Sequence, residues 1–160
     1  MKVGIVMGSE NDLPVMNGAK KVLDELDVGC EVRVLSAHRT PEEAGAFARE
    51  AESGGFGVII AGAGLAAHLA GAMVAQTTLP VIGVPIAAST LGGLDSLLST
   101  VQMPPGLPVA TVAIGGAENA GLLAAAILAL ADPALKARLK ERRVKMREKV
   151  LAADARVRGG

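Results

Sequence analysis

The chain has very few aromatic side chains: Phe47 and Phe56 are the only two, and neither Trp nor Tyr occurs. Proteins that bind single-stranded nucleic acid stack bases on aromatic side chains, so the scarcity of aromatic residues in this chain argues against that class of protein. Residues 132–160 hold ten Lys/Arg and four Asp/Glu, but residues 1–131 hold six Lys/Arg and twelve Asp/Glu. The basic C-terminal segment therefore has an acidic body beside it, and we expect no nucleic-acid partner.

Cysteine and long apolar runs are also scarce. The single cysteine, Cys30, permits no disulfide framework and offers no zinc-binding spacing, which is typical of a reducing compartment. Hydrophobic residues make up 51% of the chain, but Gly, Pro, His and polar residues interrupt every run before the roughly 18 residues of a membrane span. Met1 leads into a strand-like segment without a signal peptide. These features predict a cytoplasmic protein with no membrane partner.

Strand-like and helix-like segments alternate along the chain. Five strands alternating with helices predict an α/β protein, a three-layer α/β/α sandwich with a mostly parallel sheet. No repeat or linker divides the chain, so we expect a single domain over residues 1–160, with an α/β core at 1–131 and a basic C-terminal helix or tail at 132–160. The predicted strands span residues 2–7, 31–35, 57–61, 80–85 and 109–114, and the predicted helices follow Asp12, Thr40, the glycines of 62–64, Gly93, Asn119 and Asp132. The helix after Thr40 is expected to stop at the Gly-Gly pair of 54–55, and the helix after Gly93 is expected to span 94–101.

The segment Ser-Ala-His-Arg-Thr-Pro at 36–41 lies between a predicted strand and a predicted helix. Thr40 as the N-cap, followed by Pro41 and Glu43, indicates a helix start with a capping box. His38 and Arg39 then lie on a turn at the carboxyl end of a strand, where open α/β sheets bind ligands. An imidazole carries a proton near neutral pH, and a guanidinium binds anions. His38 could instead only cap the turn, but the His-Arg pair favours a site.

Two further loops are predicted to open at the same edge of the sheet. Gly8-Ser9 precedes the first helix and would offer free backbone N–H groups to a phosphate. Asp12 either caps that helix or accepts a ribose hydroxyl, and both roles stay open. The segment at 62–68 should open a small-residue helix reaching about Gln76, without the last glycine of a dinucleotide fingerprint. His68 in this segment either touches the same ligand or is a surface histidine.

The last two helices are predicted to need a partner surface. The helix predicted at 120–131 is apolar on all sides, which is typical of an element buried in an oligomer. The basic helix that follows has a narrow apolar stripe of Leu135, Leu139, Met146 and Val150. We therefore expect a homo-oligomer.

Five motifs, taken together, are typical of one family. The motifs are Met-Gly-Ser…Asp at 7–12, residues 36–41, Ala-Gly-Ala-Gly…Ala-Ala-His-Leu at 61–69, Gly-Leu-Asp-Ser-Leu-Leu-Ser at 93–99 and Val-Gln-Met-Pro at 101–104. In this order and spacing they resemble the N5-carboxyaminoimidazole ribonucleotide mutases of purine biosynthesis, also called the catalytic subunit of phosphoribosylaminoimidazole carboxylase. The similarity covers about residues 3–131 and includes features of the bacterial mutase branch, not of the animal-type branch that uses free carbon dioxide.

The resemblance implies a flavodoxin-like fold, a homo-octamer with active sites shared between subunits, no metal and no organic cofactor. The implied substrate is a phosphoribosyl aminoimidazole, whose carboxylate moves from the exocyclic nitrogen to ring carbon 4. His38 would be the general acid–base group. The implied substrate-binding residues are Ser9, Asp12 and Arg39 at the phosphoribosyl group, Ala63, Gly64 and Leu65 at the base and carboxylate, and Ser36 and His68 beside them.

Four departures from the family pattern predict an altered substrate fit near the third loop. Asn11 replaces a usual Ser, Leu65 a usual Gly and Ala70 a usual Pro, and the loop at 115–119 is about two residues shorter. The rival class is a flavodoxin-like nucleotide or flavin carrier, which the scarcity of aromatics disfavours. Hydrolase chemistry is disfavoured too, because Ser36 near His38 has no acid to complete a triad.

Overall fold

The computed structural model describes residues 1–159, which form one parallel sheet covered by helices on both faces. Its strand order is β2-β1-β3-β4-β5, and every neighbouring pair is parallel. This is the flavodoxin-like order, so the predicted α/β fold is confirmed. The strands are β1 Lys2–Met7, β2 Cys30–Val34, β3 Phe56–Gly64, β4 Val81–Ile86 and β5 Ala110–Thr111.

Six α-helices connect and follow these strands within the described residues. They are α1 Leu13–Glu25, α2 Pro41–Glu50, α3 Leu69–Val74, α4 Leu94–Val101, α5 Ala117–Leu128 and α6 Pro133–Arg158. A short 3₁₀ helix at Glu10–Asp12 precedes α1. None of the helices within residues 1–159 is both long enough and apolar enough to cross a membrane.

Alternate strand residues build a core on each face of the sheet. Ile5 and Ile60 face the layer of α1 and α5, while Val6 and Ile59 face the layer of α2 and α3. All four are fully buried. Because both faces are covered, the central strands are apolar throughout, as in other buried parallel sheets.

The third strand is longer than its sequence predicts. Gly62 and Gly64 belong to β3, since the parallel pairing with β4 continues as far as Gly64 opposite Ile86. The prediction of a helix opening directly at these glycines is therefore wrong, and α3 begins only at Leu69. Gly62 serves packing instead: a Cβ at this position would overlap the Sδ of Met16 on α1.

The fifth strand and two helices also differ from prediction. β5 is only two residues long because, beyond Thr111, the chain pairs with β4 irregularly. The helix expected at 120–131 forms as α5 at Ala117–Leu128, and α2 ends at Glu50, before the Gly-Gly pair. The predicted bounds of β1 and α4 are confirmed.

The apolar stripe of α6 divides into a packed half and an exposed half. Asp132 caps the helix by accepting the Leu135 N–H at 2.9 Å, and Leu135 is buried in the core. Farther along, Met146 is 54% exposed and Val150 68% exposed. The C-terminal half of this helix thus leaves much of the surface of its apolar side chains exposed.

Candidate active site

The candidate site is a cavity of about 580 Å³ at the carboxyl edge of the sheet. It lies beside the β1/β3 pair, where the strand order reverses and the loops after neighbouring strands diverge. All nine residues singled out from the sequence line it: Ser9, Asp12, Ser36, His38, Arg39, Ala63, Gly64, Leu65 and His68.

The loop after β1 is organised by a capping box. The Ser9 hydroxyl accepts the Asn11 N–H at 3.2 Å, and the Asp12 carboxylate accepts the Ser9 N–H at 3.1 Å. Asp12 occupies the N-cap position of α1 but makes no side-chain cap bond to it, so the capping role predicted for its carboxylate is wrong. The expectation of free backbone N–H groups also fails at Ser9 and Asn11, because the capping box uses them.

Asp12 carries the carboxylate of the cavity and is 92% buried, with 8% of its surface exposed. Burial raises the pKa of the Asp12 carboxyl above its ordinary value, while the Ser9 N–H and the charge of Arg39 act in the opposite direction. Keeping this carboxylate charged therefore costs desolvation free energy. Such an acceptor, aimed at the cavity, suits a hydroxyl or N–H donor of a ligand.

The loop after β2 holds Arg39 across to the loop after β1. The buried Ser36 hydroxyl accepts the Arg39 N–H at 3.1 Å and the Arg39 Nε–H at 3.4 Å. The Arg39 Nη2 donates to the Gly8 carbonyl. The guanidinium is thus positioned at the cavity by two contacts, one with each loop, and a third contact holds the Arg39 backbone.

Thr40 precedes α2, as predicted, but its hydroxyl does not cap the helix. It accepts the Ser36 N–H at 2.8 Å and donates to the Ser36 carbonyl at 3.2 Å. The predicted capping box with Glu43 is therefore wrong, since the Thr40 hydroxyl closes the site turn instead. This bond fixes the turn that carries His38 and Arg39.

His38 and His68 meet across the cavity. The Nε2 of His38 lies 2.8 Å from the Nδ1 of His68, and the rings are edge to face with centroids 4.9 Å apart. His68 stands directly before α3, at its N-cap position. His68 is exposed at the surface, lines the cavity and contacts His38. Nothing in the sequence pattern indicated this bond.

Small side chains and one strained residue form the apolar side of the cavity. A Cβ at Gly64 would lie 2.5 Å from the Cβ of Ala88, so glycine is needed for the loop after β4 to approach. Leu65 has a φ of 56°, in the left-handed region, and is 56% exposed. A side chain in this region costs about 1–2 kcal/mol. Ala37 and Ala66, which the sequence analysis did not assign to the site, also line the cavity, as does Ala88 in the loop after β4.

The cavity contains no obvious metal-binding cluster. Within residues 1–159, no three His, Cys, Asp or Glu side chains lie close enough together to hold a metal ion. A larger cavity of about 880 Å³ lies at the opposite edge of the sheet, near Arg49 and Gln76. Its lining has no histidine and no strand-end glycine loop, so the chemistry favours the smaller cavity.

The fold and the site define an α/β enzyme of the flavodoxin-like type, with a histidine pair and an arginine at the crevice where the strand order reverses. Comparison with known proteins gives the family: the AIR carboxylase family matches residues 2–149. The chain belongs to this family. The resemblance seen in its motifs is thus confirmed.

Named relatives agree with this assignment. The chain is 60% identical over 146 residues to the N5-carboxyaminoimidazole ribonucleotide mutase of Pyrococcus abyssi, covering 91% of this chain and 84% of the relative. It is 56% identical over 154 residues to the protein of the same name from Mycobacterium tuberculosis, covering 96% and 88%. The crystal structure of Treponema denticola PurE superposes with a TM-score of 0.88 at 27% identity, covering 96% of each chain.

Proposed function

We propose that this protein is an N5-carboxyaminoimidazole ribonucleotide mutase of purine biosynthesis, with His38 as the general acid–base group. It would convert N5-carboxyaminoimidazole ribonucleotide into 4-carboxy-5-aminoimidazole ribonucleotide. The observation that carries the proposal is the position of His38 beside Arg39, on the cavity where the strand order reverses. The chain is also 60% identical to a relative of that name.

The contacts of the cavity support a phosphoribosyl site at the loops after β1 and β2. Arg39 is held by Ser36 and Gly8, so its guanidinium is preorganised for an anion. The Asp12 carboxylate beside it suits a ribose hydroxyl, and the Ser9 hydroxyl lies on the same lining. Ser36 would then act on the substrate through Arg39.

The proton chemistry suits an imidazole. The carbamate nitrogen must gain a proton as its bond to the carboxylate carbon breaks and carbon dioxide leaves. Carbon 4 then attacks carbon dioxide and must lose its own proton. An imidazole can give the first proton and take the second, which returns it to its starting state.

Carbon dioxide must stay in the site between the two steps. Ala63, Gly64, Leu65 and Ala88 supply an apolar boundary to the same cavity that His38 lines. An apolar, closed pocket would limit escape and hydration of the intermediate. We propose that the loop after β4, at 87–93, completes this closure.

The experiment assays the purified protein with each of two substrates in turn. The first is N5-carboxyaminoimidazole ribonucleotide alone, and the second is 5-aminoimidazole ribonucleotide supplied with bicarbonate. We expect efficient turnover of the first and little of the second. His38→Gln, which keeps an amide near the Nε2 position, should lower kcat by roughly 10²–10⁴-fold while substrate still binds. Turnover of the second substrate alone, or a His38→Gln variant of normal kcat, would contradict the proposal.

We further propose that the protein works in the cytoplasm as a homo-oligomer, an octamer by resemblance to the family. Exposed apolar side chains support association: Leu130 is 87% exposed on the segment after α5, and Leu91 is 65% exposed before α4. Sedimentation velocity measures the assembly directly, and a monomer at micromolar concentration would contradict this part of the proposal.

A further inference from the structure

The apolar side of the site cavity presents one large aliphatic side chain that a ligand could cover. The described lining contains two leucines, Leu65 and Leu69. Leu69 is already buried in the core beneath α2, whereas more than half of the Leu65 surface is exposed. The remaining apolar residues of the lining are alanine and glycine. Leu65 therefore offers the largest uncovered apolar surface in the described lining.

The chain holds Leu65 in place against two unfavourable effects. Its φ of 56° lies in the left-handed region, where the Cβ crowds the following carbonyl oxygen. Its exposed hydrocarbon is in contact with water. The position is nevertheless fixed, since the pairing of β3 with β4 continues to the preceding residue, Gly64. Strained backbone of this kind clusters at ligand-binding sites, and a ligand that covered the side chain would offset the second effect.

The polar groups of the cavity leave the base of a ribonucleotide to the third loop. Arg39 and Asp12 lie on the loops after β2 and β1, where the proposed function puts the phosphate and the ribose. Leu65 lies on the loop after β3, which borders β1 on the side away from β2. The five-membered ring of the substrate has polar edges, but its two faces are apolar. An aliphatic side chain on the third loop suits such a face.

We propose that Leu65 is a specificity-determining residue, whose side chain packs on a face of the aminoimidazole ring and so distinguishes base-bearing ribonucleotides from simple sugar phosphates. The inference rests on the proposed function and deepens it, since it names the part of the substrate that this side chain selects. Because Leu65 stands where the family pattern has Gly, the contact is particular to this chain.

The test is isothermal titration of the protein with three ligands: 4-carboxy-5-aminoimidazole ribonucleotide, 5-aminoimidazole ribonucleotide and ribose 5-phosphate. Leu65→Ala should weaken the binding of both ribonucleotides by about fivefold to thirtyfold, because the branched end of the side chain is lost. The affinity for ribose 5-phosphate should change by less than about twofold. Leu65→Met, which restores apolar length, should recover most of the loss. The heat-capacity change of ribonucleotide binding should be less negative in the alanine variant.

Two further variants separate the side chain from the backbone and from the rest of the surface. Asn tolerates the left-handed region better than Leu, so Leu65→Asn should raise the thermal midpoint. It should nevertheless bind the ribonucleotides as weakly as the alanine variant, since it lacks the apolar surface. Leu107→Ala is the matched control: Leu107 is another exposed leucine, but it lines the cavity at the opposite edge of the sheet. Its loss should leave all three affinities unchanged.

The outcomes separate this inference from the proposed function. Unchanged ribonucleotide affinity in the alanine and asparagine variants would overturn the inference. Equal losses for the ribonucleotides and for ribose 5-phosphate would overturn it too, as would affinities that follow the thermal midpoint instead of the side chain. A wild-type protein that binds ribonucleotides through Leu65 but does not turn over N5-carboxyaminoimidazole ribonucleotide would defeat the proposed function and leave the inference standing.

Discussion

Arg39 ties together the two loops that we assign to the phosphoribosyl group. Its position at a strand end could be predicted from the helix-start signals that follow it, because those signals are local in sequence. Its contacts with Ser36 and Gly8 could not, since they depend on how the β1 and β2 ends lie side by side. For the same reason, the bond between His38 and His68 was not predictable from spacing.

Removal of the Arg39 guanidinium should weaken substrate binding. We expect Arg39→Ala to raise the dissociation constant by about 10- to 150-fold, as for a lost hydrogen bond of about 1.5–3 kcal/mol to a charged group. Arg39→Lys should recover part of the loss, because it keeps the charge without the planar fork. Isothermal titration with the product measures both constants.

Arg49 provides the matched control for this substitution. It is another exposed arginine, but it donates to Gln76 at the opposite edge of the sheet. Arg49→Ala should leave affinity unchanged. Equal affinity of the Arg39→Ala and wild-type proteins would show that the phosphate lies elsewhere.

Leu65 should lower the stability of the chain through its left-handed backbone. We expect Leu65→Gly to raise the free energy of unfolding by about 1 kcal/mol, which corresponds to about 2–4 °C in the thermal midpoint. KM for the substrate should change as well, because Leu65 lines the cavity. Differential scanning fluorimetry and steady-state kinetics provide the two measurements.

Asp27 is a control for the backbone effect alone. It also has a positive φ, 53°, but lies away from the cavity, in the turn after α1. Asp27→Gly should gain less stability, because Asp tolerates this region better than Leu, and should leave KM unchanged. A Leu65→Gly protein less stable than the wild type would contradict the strain argument.

At the scale of elements, local sequence signals predicted where a helix begins, whereas pairing with a strand distant in sequence determined where β3 ends. Asp132 and Pro133 indicated the beginning of α6, and the structure places the cap bond there. The end of β3 was mispredicted because glycine after a strand usually marks a turn, whereas pairing with β4 here extends the strand through Gly64. The end of β3 therefore depends on its pairing with β4, which the sequence of β3 alone does not reveal.

The outer half of α6 should be an association element. Arg142 fastens the inner half by bridging Glu25 and Glu118, at 2.6 Å each, so deletion of residues 144–160 should spare the subunit fold. We expect this deletion to reduce the sedimentation coefficient to that of a smaller assembly. The milder double variant Met146→Gln with Val150→Gln should weaken the same assembly. Unchanged sedimentation of both forms would make the outer half of α6 a solvated helix.

At the scale of the whole molecule, the charge is divided between the body and the C-terminal segment. The acidic excess at 1–131 and the basic excess at 132–160 cancel over the full chain. Part of the attraction between the acidic body and the basic segment acts within one chain, as in the contacts of Arg142 with two glutamates. The basic groups beyond it project with the exposed half of α6, where they would meet the acidic body of another subunit. The charge pattern thus agrees with the proposed assembly.

The central claim is that the carboxylate moves within one closed site. Its most direct test follows a carbon-13 label in the carboxylate of N5-carboxyaminoimidazole ribonucleotide, with the purified protein in unlabelled bicarbonate buffer. We predict that 4-carboxy-5-aminoimidazole ribonucleotide forms with the label retained, because carbon dioxide is held between its two bonds. A product that carries unlabelled carboxylate, with the label found in bicarbonate, would contradict the account.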